Sequence, residues 1–139
     1  MIKPPILTDS RGAAAIEFGL LAPAFIVLLL GVLQVGMGVQ SYNGVRNLTA
    51  DVTRHAMIEY AKGNRMTNAQ LKDYTELPTT LAPYLLAEGV TATVVDAPVQ
   101  RVSGAREMTL TVSYQIPSLL STMGLNGPTL SYSRPMFIV

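Results

Sequence analysis

Between Glu17 and Arg46 the chain carries no charged side chain. The apolar part of that interval, Phe18 to Val39, amounts as a helix to roughly 33 Å at ~1.5 Å per residue. A hydrocarbon core is about 30 Å thick. From Tyr42 onward the pattern changes. Val45, Leu48, Val52 and Ala56 recur at steps of three and four, while Arg46, Asn47, Asp51 and Arg54 fall elsewhere on the wheel. That is the pattern of an amphipathic helix, and Gly63-Asn64 supplies a stop. Together the two patterns predict one long helix over 13–62, apolar all round in its first half and one-faced in its second. Pro23 lies inside it and is expected to kink or loosen it.

Further along, Thr67 followed by Gln70 has the form of a capping box, predicting a short helix to about Tyr74. Leu81 to Glu88 is a weaker helical segment with Gly89 placed to end it. Then the period becomes two. VTATVVD at 90–96 is short and β-branched, and REMTLTVSYQI at 106–116 alternates. In the latter, Met108, Leu110, Val112, Tyr114 and Ile116 share one face and Thr109, Thr111, Ser113 and Gln115 the other, as in a half-buried strand. Ser103-Gly104 and Asn126-Gly127 are turn signals, and Pro117 closes the second strand. TLSYSRPMFIV at 129–139 is a last strand, with Pro135 marking an edge or a bulge. The fold class is therefore α+β: a long N-terminal helix, short helices, and an antiparallel sheet of three strands. The one-faced half of the helix is the natural cover for the sheet's apolar face. The expected organisation is a leader at 1–12, the long helix at 13–62 with its membrane part at about 13–39, and a head at 63–139.

Composition narrows the function classes. Only 14% of residues are charged, so a disordered tail is not expected, and the net charge of +1 gives no footing for nucleic acid. The absence of cysteine removes disulfides, thiol catalysis and Cys-type zinc sites. His55, the single histidine, stands four residues after Asp51, which reads as a solvated i,i+4 pair rather than a metal site. There is no serine-hydrolase elbow, P-loop or dinucleotide fingerprint. No catalytic residue, cofactor or metal is therefore expected. Lys3 and Arg11 before the apolar run favour a cytoplasmic amino end and an external head.

Glu17 is the anomaly. Ala13, Ala14, Ala15 and Ile16 are apolar and extend the membrane part back past it. An ionised carboxylate there costs on the order of a few kcal/mol unless paired. If a protease cuts after Gly12, Ala13 gains an α-amine with a pKa of about 7.7–8.0. Residue 17 lies one turn from residue 13 on the same face, so the acid can meet its own chain's amine or that of a neighbouring subunit. Glycine before the cut resists helix continuation and leaves the backbone open.

The run Arg11-Gly12-Ala13-Ala14-Ala15-Ile16-Glu17-Phe18-Gly19-Leu20-Leu21-Ala22-Pro23 resembles the N-terminal signature of the TadE-like pseudopilins, from the tight-adherence (Tad/Flp) branch of the type IV pilus machinery. The resemblance covers about 30 residues closely and the helix-then-head architecture loosely. It implies cleavage between Gly12 and Ala13 by a prepilin peptidase, and an inner-membrane pool. It also implies a non-enzymatic role as a minor pilin or assembly factor for an adhesive fimbria. Glu17 and Phe18 would then register an incoming subunit. Implied partners are the lipid bilayer, the peptidase, other pilins and the assembly machinery. Phe18 stands where the branch's major pilins often have tyrosine, and those are much shorter chains; both points favour an accessory pseudopilin. Two other functions compete. One is a secreted domain released by signal peptidase, with Leu20–Leu33 as the apolar core of its signal and Gly36-x-Gly38 as a poor cleavage site. The other is an uncleaved membrane-anchored binding module.

Overall fold

The computed structural model describes residues 10–78, 80–121 and 124–139, with side chains from Gly12 onward. Most of the expected leader, residues 1–9, lies outside them. The chain divides into two compact units, 1–35 and 36–139.

In the first unit the backbone is helix α1, which runs from Ser10 to Ala61 and so continues into the second. The helix passes through Pro23 unbroken. Proline has no N–H, so the carbonyl of Gly19 loses its usual i+4 donor. Helix begins three residues before the expected start, and Gly12 is helical rather than a barrier to helix.

In the second unit α1 is followed by α2 (Asn68–Glu76), a single 3₁₀ turn (Ala87–Gly89), and strands β1 (Val90–Asp96), β2 (Arg106–Gln115) and β3 (Thr129–Ile138). The sheet is antiparallel in the order β1-β2-β3. Helix α1 stops where glycine allows it. Gly63 has φ +85°, its N–H donates to Tyr60 O, and the N–H of Asn64 reaches back to Glu59 O at 2.9 Å. That is a Schellman closure. The capping box of α2 forms as the sequence indicates. The N–H of Gln70 donates to Thr67 Oγ1 at 3.2 Å, and the N–H of Thr67 donates to Gln70 Oε1 at 2.8 Å. The helix runs two residues past Tyr74 and ends at Glu76, ahead of Leu77-Pro78, where the residue before proline leaves helical space.

The expected helix at Leu81–Glu88 is not formed; only the 3₁₀ turn at its end is helical. Pro83 biases the preceding residue away from the helical region, and the segment has a better use as a strap. Leu85 enters the core, and the N–H of Leu86 donates to the buried Tyr114 hydroxyl at 3.3 Å.

The core lies where the two periodicities meet. Val45, Leu48, Val52 and Ala56 of α1 join Met108, Leu110, Val112, Tyr114 and Ile116, each at most 3% exposed. Leu85, Leu71 of α2, Val90 and Ala92 of β1, and Met136 and Ile138 of β3 complete it. Two threonines buried on α1 satisfy themselves locally: Thr49 Oγ1 donates to Val45 O and Thr53 Oγ1 to Thr49 O, both at 2.7 Å. Across the sheet's other face run hydroxyl pairs, Thr111 with Ser133 at 2.8 Å and Ser113 with Ser131 at 3.2 Å.

The two sheet edges differ. Beside β1, Glu76 of α2 accepts the N–H of Ala92 at 2.8 Å, occupying an outward donor. On β3 the register places Pro135 opposite Thr109 with no bulge. Glu107, two residues before Thr109, turns its carbonyl to Ala97 on the β1 side. By the alternation of an antiparallel ladder, Pro135 therefore faces the open edge, where its missing N–H removes a donor from a bare strand. Of the two expectations for Pro135, the edge is the one realised.

Two charge-assisted clusters tie the segments around the N-terminal end of β2. Arg106 donates to Asp96 at 2.9 Å, to Asn68 at 2.8 Å and to the Met66 carbonyl at 3.0 Å. Glu107 is paired with Arg101 and has Gln100 bonded to its backbone, which fixes the connection between β1 and β2. Asp96 is held below the ordinary carboxylate range chiefly by its hydrogen bonds from Arg106. Glu107 is held there chiefly by those from Arg101.

Two predictions follow from this packing. A Cβ on Gly127 would stand 1.7 Å from the Ile116 carbonyl oxygen, a backbone atom that cannot move aside. Gly127→Ala should therefore destabilise the head by about 1–3 kcal/mol or more, read as a lower urea midpoint, whereas Gly63→Asn should be nearly neutral. The second concerns acid. A lowered carboxylate pKa gives stability that is complete above the unfolded value of about 4 and is lost as pH falls through the folded value beneath it. Stability of the head should drop below about pH 4, and the double variant Asp96→Asn, Glu107→Gln should lower stability at neutral pH while flattening that acid slope in denaturant titrations.

Candidate functional site

The first turns of α1 hold every residue singled out for processing and assembly. Gly12, Ala13, Glu17 and Phe18 are all exposed, Phe18 to 73%. Helical geometry puts Ala13 and Glu17 one turn apart on one face. A Cβ built on Gly12 meets nothing within 4 Å, so packing is not what calls for glycine there. Among the described residues Glu17 has no ion-pair or hydrogen-bond partner. Pro23 is two turns further along the same continuous helix.

The surroundings of Glu17 are apolar and uncovered. Ile16, Leu20, Leu21, Phe25, Ile26, Leu28 and Leu29 are each more than half exposed. Among the described residues α1 is the one helix long and apolar enough to cross a membrane, and none of its most apolar window is buried by the chain itself. A contiguous apolar surface of this kind has its cover outside the chain.

An open groove of about 500 Å³ lies beside the β1–β2 connection, lined by Val95, Pro98, Val99, Arg101, Glu107 and Thr109. The two acids that line it are already bonded, Glu107 to Arg101 and Asp96 to Arg106, and the Arg101 guanidinium also lies over the Phe137 ring at 5.7 Å. No group of three or more metal-ligating side chains exists among the described residues. His55 does not make the expected pair with Asp51. Its ring stacks on Tyr74 of α2, 4.0 Å between centroids and 8° from parallel, because flat apolar contact at a half-buried helix face outweighs a screened surface pair.

Sequence reasoning missed the Arg101–Glu107 and Arg106–Asp96–Asn68 clusters. Each joins residues through a strand register or across a loop, and no local spacing signals it. The glycines of α1 differ in what surrounds them. Gly44 is the one under pressure: a Cβ there would stand 2.6 Å from the Tyr84 ring and 3.3 Å from Leu85, so the 81–86 strap lies directly on the helix.

Comparison with known proteins bears on the same segment. No curated protein and no solved structure matches the chain. A family model does, over residues 12–54, and its description is TadE-like protein. The matched span begins at Gly12, contains Glu17, Phe18 and Pro23, and ends at Arg54 within the one-faced half of α1. These residues, which hold every position singled out for processing and assembly and stop short of the sheet, are similar to the TadE-like family.

Proposed function

We propose that this protein is a minor pilin or assembly pseudopilin of a Tad/Flp-type pilus, anchored in the bacterial inner membrane by the apolar half of α1. The TadE-like match points to a protein associated with a Tad pilus system. The observation that carries the finer reading is Glu17: an exposed, unpartnered carboxylate one turn inside a helix surface that is otherwise apolar. A carboxylate in lipid needs a counter-charge. Removal of the leader between Gly12 and Ala13 by a prepilin peptidase would supply it as the α-amine of Ala13, on the same chain or on an adjacent subunit. Phe18 and the apolar residues around it would pack against neighbouring helices in the same step. The amino end is cytoplasmic and the head periplasmic in this reading, which involves no catalysis and no cofactor.

The mature N-terminus tests it directly. Intact mass of the membrane-extracted protein should correspond to a chain starting at Ala13; a start at Met1 or near Val39 would overturn the reading. Replacing Gly12 with a bulky residue, as in Gly12→Leu, should leave a precursor of lower gel mobility. Glu17→Gln should leave cleavage intact while pilus assembly or capture of a partner pilin falls severalfold. Unchanged piliation with that variant would remove the registration role and leave the processing claim standing.

A further inference from the structure

The head carries a second apolar surface, separate from the membrane-crossing run, and its place in the fold says what covers it. We infer that Leu86, Leu119 and Leu125, at the root of the head, lie in the lipid–water interface and dock the head against the bilayer. The inference rests on the membrane anchoring proposed for α1.

Position is the first support. Ile116, the residue after β2, continues its apolar face, and a Cβ on Gly38 would lie 3.7 Å from its Cδ1. A cavity of about 250 Å³ at this point is lined by Met37, Gln40, Ser41, Leu86 and Pro117. The connection from β2 to β3 thus starts beside the last turn of the apolar run, which ends at Val39. If that run fills the hydrocarbon, its last turn lies at the interface, and so does whatever packs beside it.

Exposure is the second. Leu86 is 57% exposed, Leu125 55% and Leu119 40%, and all three lie on irregular backbone at this end of the sheet. Backbone hydrogen bonds tie described residues of the connection. Ile116 N–H donates to Pro128 O at 3.1 Å, and Leu125 N–H donates to Leu120 O at 3.3 Å.

Charge is the third, and it selects lipid over water. Residues 108–133 contain no charged side chain. The charges of the sheet lie at or toward its other end: Asp96, Arg106 and Glu107 with Arg101 beside them, and Arg134 at mid-strand opposite Leu110. Apolar residues exposed at that far end, such as Val99 and Val102, sit among these ions; those at the root do not. Glu88, exposed on the 3₁₀ turn, is the one charged residue lining the adjoining groove with Pro117 and Ser118, and it is placed to stay in headgroup water.

The chain has no cysteine, so a single introduced one reports one site. Leu125→Cys, Leu86→Cys, Val99→Cys and Val27→Cys would each be spin-labelled in the full chain and reconstituted into phosphatidylethanolamine–phosphatidylglycerol vesicles at low and high lipid-to-protein ratio. Accessibility to oxygen and to a water-soluble nickel chelate gives the depth. The expected result is a label at 27 deep in lipid, and labels at 125 and 86 shielded from nickel severalfold relative to 99 at both lipid ratios. Labels at 125 and 86 as open to nickel as 99, with 27 in lipid, would overturn the docking while leaving the anchor intact. Shielding that disappears when the protein is diluted in lipid would identify a second copy as the cover and overturn it as well. A label at 27 in water would remove the anchor, and the docking with it.

Discussion

One helix has to satisfy two solvents, and the organisation of the molecule follows from that. Over its first turns α1 presents leucine, isoleucine and phenylalanine in every direction, with nothing in the described chain laid against them. Past Ser41 the same helix narrows its apolar surface to one stripe and turns polar residues outward. A helix that is apolar all round is stable only in a surrounding that is itself apolar, whereas a striped one needs a single packed partner. The sheet is that partner. Four residues of β2 and Ile116 just beyond it are buried at a spacing of two against a helix offering four at spacings of three and four, and the mismatch of periods is absorbed by side chains of different size.

How much of this was legible depends on whether a signal was local. The alternation in β2, the stripe on α1, the capping box at Thr67 and the stop at Gly63 are each written within a few residues, and each is realised. The segment 81–88 had weak helical periodicity and Pro83 against it. What decided it was a contact that no window contains, the Leu86 N–H on the Tyr114 hydroxyl. His55 failed for a related reason. Its neighbour on the helix, Asp51, is visible in sequence, but its stacking partner Tyr74 belongs to the next helix. The site residues stood out because they violate their own surroundings: a carboxylate in an apolar run is conspicuous at any distance from the rest of the fold.

The head spends its polar groups on shape. Glu76 on the β1 edge, Pro135 on the β3 edge and the Ser/Thr pairs on the open face each blunt a surface that would otherwise recruit another strand or an apolar partner. Two clusters of charge fix the loops at one end. Among the described residues the acids lining the groove beside the β1–β2 connection are each bonded to an arginine. A fold of this kind presents surfaces, and it is consistent with a part in an assembly.

The helical state of Gly12 bears on how the segment would be processed. A peptidase acts on extended backbone, and the expectation from sequence was that glycine would hold the chain open there. Instead α1 begins at Ser10 and passes through Gly12. Both facts can hold because the first four N–H groups of a helix have no partner within it, so unwinding the first turn sacrifices few bonds. Glycine lowers the cost further, by about 1 kcal/mol relative to alanine, and nothing packs on it. From Ala13 onward three alanines in a row restore strong helix formers. The boundary between residues that leave the helix easily and residues that keep it therefore falls at the Gly12–Ala13 bond. In the processing proposed above, that bond is the one that opens, and the helix that remains starts with its amine one turn from Glu17.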